Sequence, residues 1–307
     1  MATTTQIAAP ARITSPLALW HLLSLDAPTV AALWTWFIGR AAGVHLPAAS
    51  LIAMALAVWI LYAADRLLDS SALDSMDALP VRSMAMAEFE ARHYFHHRHR
   101  RPFVVGIALA SIALGGLLPL LDHAALRLYL VEGGLLIVWF LVVHATRSAH
   151  RLPKEIAVGV FFSAAVFIPT VARNPALRFA LALPALLLGV LCGLNCLFIY
   201  AWEHTRTPSD RKGVAAPHPT TRFALQRLWV IATTEIVAAI ALAAFNEGAP
   251  RLIAVACALS SAMLLWLHQS RRQCSQGRLS RIHLRAAADL ALLTPALALA
   301  WLVFSSR

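Results

Sequence analysis

Apolar residues run along this chain in long blocks, with neither the alternation of a half-buried strand nor the narrow stripe of a soluble amphipathic helix. Blocks with little or no charge recur almost from end to end, and about 20 helical residues are enough to cross a hydrocarbon core of roughly 30 Å. They fall at 23–43, 47–68, 103–121, 126–146, 155–173, 178–202, 224–246, 250–268 and 286–305. The pattern predicts an all-α integral membrane protein, nine transmembrane helices around a central cavity that opens to the cytoplasmic side. Asp26 and Pro28 interrupt the first block, so that 16–25, with Trp20 and His21, reads equally as a separate interfacial helix. No Gly/Ser linker divides the chain: a cytoplasmic N-terminal tail, 1–15, precedes one membrane domain, 16–307.

Composition agrees with the pattern. The chain is 60% hydrophobic and only 13% charged, a balance outside ordinary soluble domains. Its first 15 residues carry one basic residue and no long apolar core, so a cleaved signal peptide is not expected.

Lys and Arg set the expected orientation. One side collects Arg12, five Arg in 70–102, three basic residues in 147–154, four in 203–222 and five in 269–285. The other side has Arg40, Arg127, Arg173, Arg178, Arg251 and Arg307. This places the N-terminus in the cytoplasm, in what reads as a bacterial cytoplasmic membrane. The net charge of +11 raises nucleic acid as a partner, but the basic residues are spread over loops between spans and form no aromatic-interleaved module. Anionic lipid headgroups are the simpler partner. Cys192, Cys196, Cys257 and Cys274 show no zinc spacing and no disulfide framework.

Ionisable residues at the ends of apolar helices carry the candidate chemistry. Tyr62-Ala63-Ala64-Asp65-Arg66-Leu67-Leu68-Asp69 closes the second block. Two carboxylates at i, i+4 lie roughly 6 Å apart and repel by about 2–3 kcal/mol at an effective dielectric near 20. A positive partner is therefore expected: Arg66 for Asp69, or a metal for both. Leu61-Tyr62-Ala63-Ala64-Asp65-Arg66 is echoed by Ile199-Tyr200-Ala201-Trp202-Glu203-His204 at the end of the sixth block, which predicts two acidic helix ends facing one cavity. Magnesium takes oxygen ligands, often one or two carboxylates plus substrate phosphates. Asp65 and Asp69 on one helix with Glu203 on another suit it. Lys154, Arg82, Arg147, Arg151, Arg211 and Lys212 lie on the same side to hold a diphosphate.

Nine helices with acidic motifs at the cytoplasmic ends of the second and sixth resemble the UbiA superfamily of intramembrane prenyltransferases. That family's first motif runs Asn-Asp-x-x-Asp-x-x-x-Asp; here Asp65 and Asp69 match its last two aspartates, and Leu61-Tyr62 replace the opening Asn-Asp. In the second motif Asn195, Ile199 and Glu203 keep the four-residue beat, and Asp210-Arg211-Lys212-Gly213 resembles the Asp-Arg-x-x-Gly that follows it. Arg82 and Lys154 resemble the family's basic positions. The resemblance implies Mg2+ bound by Asp65, Asp69, Asn195, Glu203 and Asp210, a prenyl diphosphate and a lipophilic acceptor as partners, and transfer or cyclisation through an allylic cation. Tyr62, Trp59, Tyr200 and Trp202 would line the cavity by cation–π contact, or serve as interfacial belt and packing.

Two other readings stay open. The partial motifs suit a catalytically silent isoprenoid or lipid binder of the same fold. A transporter would use Glu132, Glu235, Thr233 and Thr234 inside the fourth and seventh blocks. The basic run Arg92 to Arg101, with His93, His96, His97 and His99, reads as a lipid-phosphate belt, a substrate grip or a histidine metal site. Asp26 and Asp289 read as helix-start caps, and Pro169 and Pro184 as kinks.

Overall fold

In the computed structural model, residues 15–71, 95–145, 153–204, 218–273 and 281–297 are described, and every regular element among them is helical. We number the main helices α1 (Pro16–Leu22), α2 (Asp26–Ala41), α3 (Ala48–Ser71), α4 (Arg100–Leu117), α5 (His123–Ala145), α6 (Lys154–Arg173), α7 (Ala182–His204), α8 (Pro219–Gln226), α9 (Leu228–Phe245), α10 (Gly248–Gln273) and α11 (Arg281–Ala291). Among the described residues six helices, α3, α4, α6, α7, α9 and α10, are long and apolar enough to cross a membrane, and the bent pair α1–α2 would be a seventh. The expected span 126–146 corresponds to α5. The expected span 286–305 does not form one continuous helix: α11 ends at Ala291, a turn follows at 292–293, and residues beyond 297 lie outside the described ones.

Exposure of apolar side chains supports the membrane reading. Val104, Leu109 and Ile112 on α4, and Leu130, Leu135 and Leu141 on α5, are all more than half exposed. Side chains of this size left in water would each forgo roughly 1.5–3 kcal/mol of burial; acyl chains remove that penalty.

The core is built on α7, whose Leu188, Leu191, Leu194 and Phe198 are buried with Trp34, Phe37 and Ile38 of α2 and Ile253 and Leu264 of α10. Helices α6 and α7 pack antiparallel, and glycine sets their approach. A Cβ built at Gly159 of α6 would collide with the Gly189 carbonyl oxygen of α7, and one at Gly193 would sit 3.4 Å from the Glu155 carbonyl oxygen. Ser163 Oγ donates to the Ala185 carbonyl at 2.6 Å along the same seam. Small residues let membrane helices approach in this way, and the register puts Glu155 opposite Gly193.

Two prolines behave differently from each other. Pro169 lies inside α6 and is buried. Pro184 is the third residue of α7, where its missing N–H has no intrahelical partner to lose, so the expected interior kink in the sixth span is not there.

Candidate functional site

The chain turns by 88° between α1 and α2, and the turn is built from Leu23, Ser24 and Leu25. Ser24 adopts φ 58°, a left-handed conformation uncommon for a residue with a Cβ. A break between helices leaves backbone groups in need of partners, and the Ser24 N–H turns back to the His21 carbonyl at 3.1 Å. Helix α3 supplies further donors: Trp59 Nε1 donates to the Leu23 carbonyl at 3.0 Å and Arg66 donates to the His21 carbonyl at 3.0 Å. The guanidinium also stands at the C-terminal, negative end of α1, where a cation is favoured. The separate helix expected near 16–25 is present as α1, Pro16–Leu22, with Ala18, His21 and Leu22 buried on one face and Leu19 exposed on the other.

A buried polar cluster assembles at this break. Asp26 opens α2; its Oδ1 accepts the Ala27 N–H at 3.0 Å, and its Oδ2 meets His21 Nδ1 at 2.5 Å and Arg66 at 3.5 Å. Asp289 of α11 brings its Oδ2 to 3.8 Å from the same His21 nitrogen, while its Oδ1 accepts from Asn195 Nδ2 of α7 at 3.0 Å. His21, Asp26, Arg66, Asn195 and Asp289 are all buried. The ligand atoms of His21, Asp26 and Asp289 lie within 4.8 Å of one another.

Asp26 thus does more than cap. Asp289 is not an N-terminal cap at all, because α11 begins at Arg281 and Asp289 stands in its last turn. Nor is Arg66 reserved for Asp69: its guanidinium turns inward to His21 and Asp26 and lies 4.9 Å from the Tyr62 ring centroid.

The motif residues stand around this cluster. Tyr62 of α3 is within electrostatic reach of Asp26, Asp289 and Cys196, and Cys196 is within reach of Glu155 and Asp289. The second-span end, the start of α6 and the asparagine of the second motif are therefore at one level of the bundle. Asp65 is exposed next to the inward-facing Arg66. Lys154 is exposed as the first residue of α6, where a helix N-terminus adds its own attraction for anions. Asn195 Oδ1 is buried and has no hydrogen-bond partner among the described residues.

Other expected site residues lie elsewhere or are not described. Asp69 and Glu203 belong to α3 and α7, but their side chains lie outside the described ones; Arg82, Arg147, Arg151, Asp210, Arg211 and Lys212 are outside the described residues altogether. Trp59 stacks on Phe103 at 6.4 Å and presses on Gly106, so it joins α3 to α4. Trp202 is buried and donates to His268 Nδ1 of α10 at 3.0 Å. These two indoles pack helices together. Tyr200 is half-buried.

From the basic run, His96 is buried against Phe103 and lies 3.5 Å from Ser24 Oγ, which makes it part of the seat for the α1–α2 turn. His93 is outside the described residues. A cavity of about 420 Å³ lined by Trp36, Arg40, His45 and Leu51 lies near the start of α3, at the far end from Asp65. Of the transporter candidates, Glu235 is buried on α9 and Thr233 bonds back to the Trp229 carbonyl at 2.9 Å.

Sequence reasoning did not connect His21, Asp26, Arg66 and Asp289. The signal was present: each is an ionisable side chain in or beside an apolar block, which marks a functional candidate by default. Local spacing assigned the two acids to caps and Arg66 to Asp69, whereas Asp26 pairs with His21 five positions before it and with Arg66 40 positions on, and Asp289 with Asn195 94 positions back. Comparison with protein-family models, with curated proteins and with solved structures yields no match, and no family is assigned.

Proposed function

We propose that this chain is a magnesium-dependent intramembrane enzyme of the UbiA type. It would use a prenyl diphosphate at the ends of α3, α6 and α7 to alkylate a lipophilic acceptor, or to cyclise the prenyl chain. In this reading nine spans surround a cavity open to the cytoplasm, the N-terminus is cytoplasmic and the membrane is a bacterial inner membrane.

One observation carries the reading: Tyr62, Cys196 and Glu155, beside the first motif, the second motif and Lys154 respectively, are within electrostatic reach in a chain Tyr62–Cys196–Glu155. Tyr62 is 93 positions from Glu155 and 134 from Cys196 in sequence, and a diphosphate site shared by helix ends would need such convergence. Because Arg66 is held inward by Asp26, it does not carry the charge balance of the motif acids alone. Asn195 Oδ1 offers a buried acceptor with no hydrogen-bond partner among the described residues, the kind of oxygen donor a hard cation takes.

Asp65, Asp69, Glu203 and Asn195 would hold Mg2+, with Asp210 completing the set. The ion supplies charge neutralisation of the leaving diphosphate. Lys154, aided by the N-terminus of α6, orients that diphosphate. Arg82, Arg147, Arg151, Arg211 and Lys212 add positive charge around it. Tyr200, and the Tyr62 ring on the side away from Arg66, would present aromatic faces to a developing cation, and the apolar walls would keep water from it.

The test is a radiolabelled prenyl diphosphate assay in membranes with and without Mg2+. Product should form only with Mg2+, and Asp65→Ala and Asp69→Ala should each abolish it while the protein still elutes as a single species in detergent. Unchanged turnover in the double variant would sink the proposal. A second reading, a silent isoprenoid or lipid binder, is favoured by the Asn195 amide being engaged by Asp289; it predicts retention of the prenyl compound, without product and without Mg2+ dependence.

A further inference from the structure

The His21–Asp26–Asp289 cluster is organised around one point. Each aspartate has one oxygen fixed by a donor outside the triad, Asp26 Oδ1 by the Ala27 N–H and Asp289 Oδ1 by Asn195 Nδ2. Each turns its other oxygen to the same atom, His21 Nδ1, at 2.5 and 3.8 Å, and that oxygen of Asp26 also stands 3.5 Å from Arg66. Ligands about 2.1 Å from a metal ion stand roughly 3.0–3.4 Å from one another at octahedral or tetrahedral angles, and the two distances bracket that spacing.

Donors that fix the outer oxygens of ligating carboxylates are the usual second layer of a metal site. Charge points the same way. Two buried carboxyl groups face one guanidinium, Arg66, so a proton on Asp289 or on His21, or a bound cation, must complete the charge balance. A further polar atom, Asn195 Oδ1, is buried on the amide that already touches Asp289, and it has no hydrogen-bond partner among the described residues.

We infer that His21, Asp26 and Asp289 bind one divalent first-row transition metal ion, of the zinc or manganese kind, through Nδ1 and the two Oδ2 atoms. Binding replaces the His21–Asp26 hydrogen bond and releases the Nδ1 proton. One imidazole with two carboxylates suits these ions better than magnesium or calcium, which take oxygen alone. The ion ties α1, α2 and α11 together; it has the Asn195 side chain in common with the proposed magnesium set but needs neither Asp65 nor Asp69, so the inference does not rest on the prenyltransferase reading.

The full chain is purified in detergent, stripped with chelator and reloaded separately with Zn2+ and with Mn2+. We expect one tightly held Zn2+ per chain by elemental analysis, and in the Mn2+ form the nitrogen modulation of a single imidazole in pulsed EPR, which carboxylate motifs alone do not give. His21→Gln and Asp289→Asn should lose the ion. Asn195→Ala should weaken it about 10–100-fold, and Asp65→Asn should keep it.

Absence of bound metal in the unsubstituted chain, absence of the nitrogen signal, or full retention in both triad variants overturns the site and leaves the cluster balanced by a proton. The unsubstituted chain decides the matter even if a variant does not fold. Loss of prenyl transfer in Asp65→Ala with the ion retained separates this site from the proposed enzymatic one.

Discussion

Arg66 meets three demands from one side chain. It donates to the His21 carbonyl at 3.0 Å, beside the Ser24 N–H that donates to the same oxygen, pairs with the fully buried Asp26 at 3.5 Å and covers the Tyr62 ring. Removing a single partner of a buried ion pair leaves the other charge uncompensated, at a cost of about 3–5 kcal/mol. Arg66→Met should therefore lower the thermal midpoint in detergent sharply. Adding Asp26→Asn should return a large part of the loss, because the stranded charge is then gone. If the two effects simply add, Arg66 stabilises the break by packing and not through Asp26. The interaction was out of reach from the sequence because Arg66 and Asp26 are 40 residues apart, and an i, i+3 neighbour of opposite charge, Asp69, offered a sufficient local explanation. What the pattern did show is that Asp65 and Lys154 stand exposed near helix ends, because an apolar block changes abruptly at each.

At the level of elements, the seam between α6 and α7 fixes how far the start of α6 lies from Asn195. A methyl group at Gly159 meets the backbone oxygen of Gly189, which has no side-chain rotamer to yield, so the helices must separate or shift along each other. Gly159→Ala should cost about 1–3 kcal/mol, the range for overpacking a tight interface. Gly115→Ala on α4, where an added Cβ meets nothing within 4 Å, should change the midpoint by less than about 0.5 kcal/mol. Paired thermal melts in one detergent compare them. Helix positions could be read from apolar block length, because span length follows bilayer thickness. The 88° turn at Ser24 could not, since it depends on Trp59 and Arg66 arriving from α3 to satisfy its carbonyls. The same limit applies to α11: at the turn of 292–293, after which helix resumes at 294–297, the Leu292 carbonyl accepts from Trp34 Nε1 of α2 at 2.9 Å, a contact across 258 positions.

For the whole molecule, hydrophobic pattern alone delivered the all-α membrane architecture, whereas the count of nine spans went beyond the six or seven helices that the described residues support. Orientation rests on the Lys and Arg asymmetry, and α9 gives a compact test of it. Gln226 is exposed just before α9, at the end where Lys154 begins α6, and Glu247 is exposed just after α9. A helix of 18 residues rises about 27 Å at 1.5 Å per residue, close to the hydrocarbon thickness of roughly 30 Å, so the two positions should lie on opposite faces. The native thiols offer little interference: Cys192 and Cys257 are buried and Cys196 is half-buried, and Cys274 can be replaced by serine. In that background a membrane-impermeant maleimide should label Glu247→Cys in intact spheroplasts and Gln226→Cys only after permeabilisation. The reverse pattern would invert the protein and move Asp65, Lys154 and Asn195 to the outer face, away from cytoplasmic diphosphates. Labelling of both positions from one side would instead remove α9 as a span.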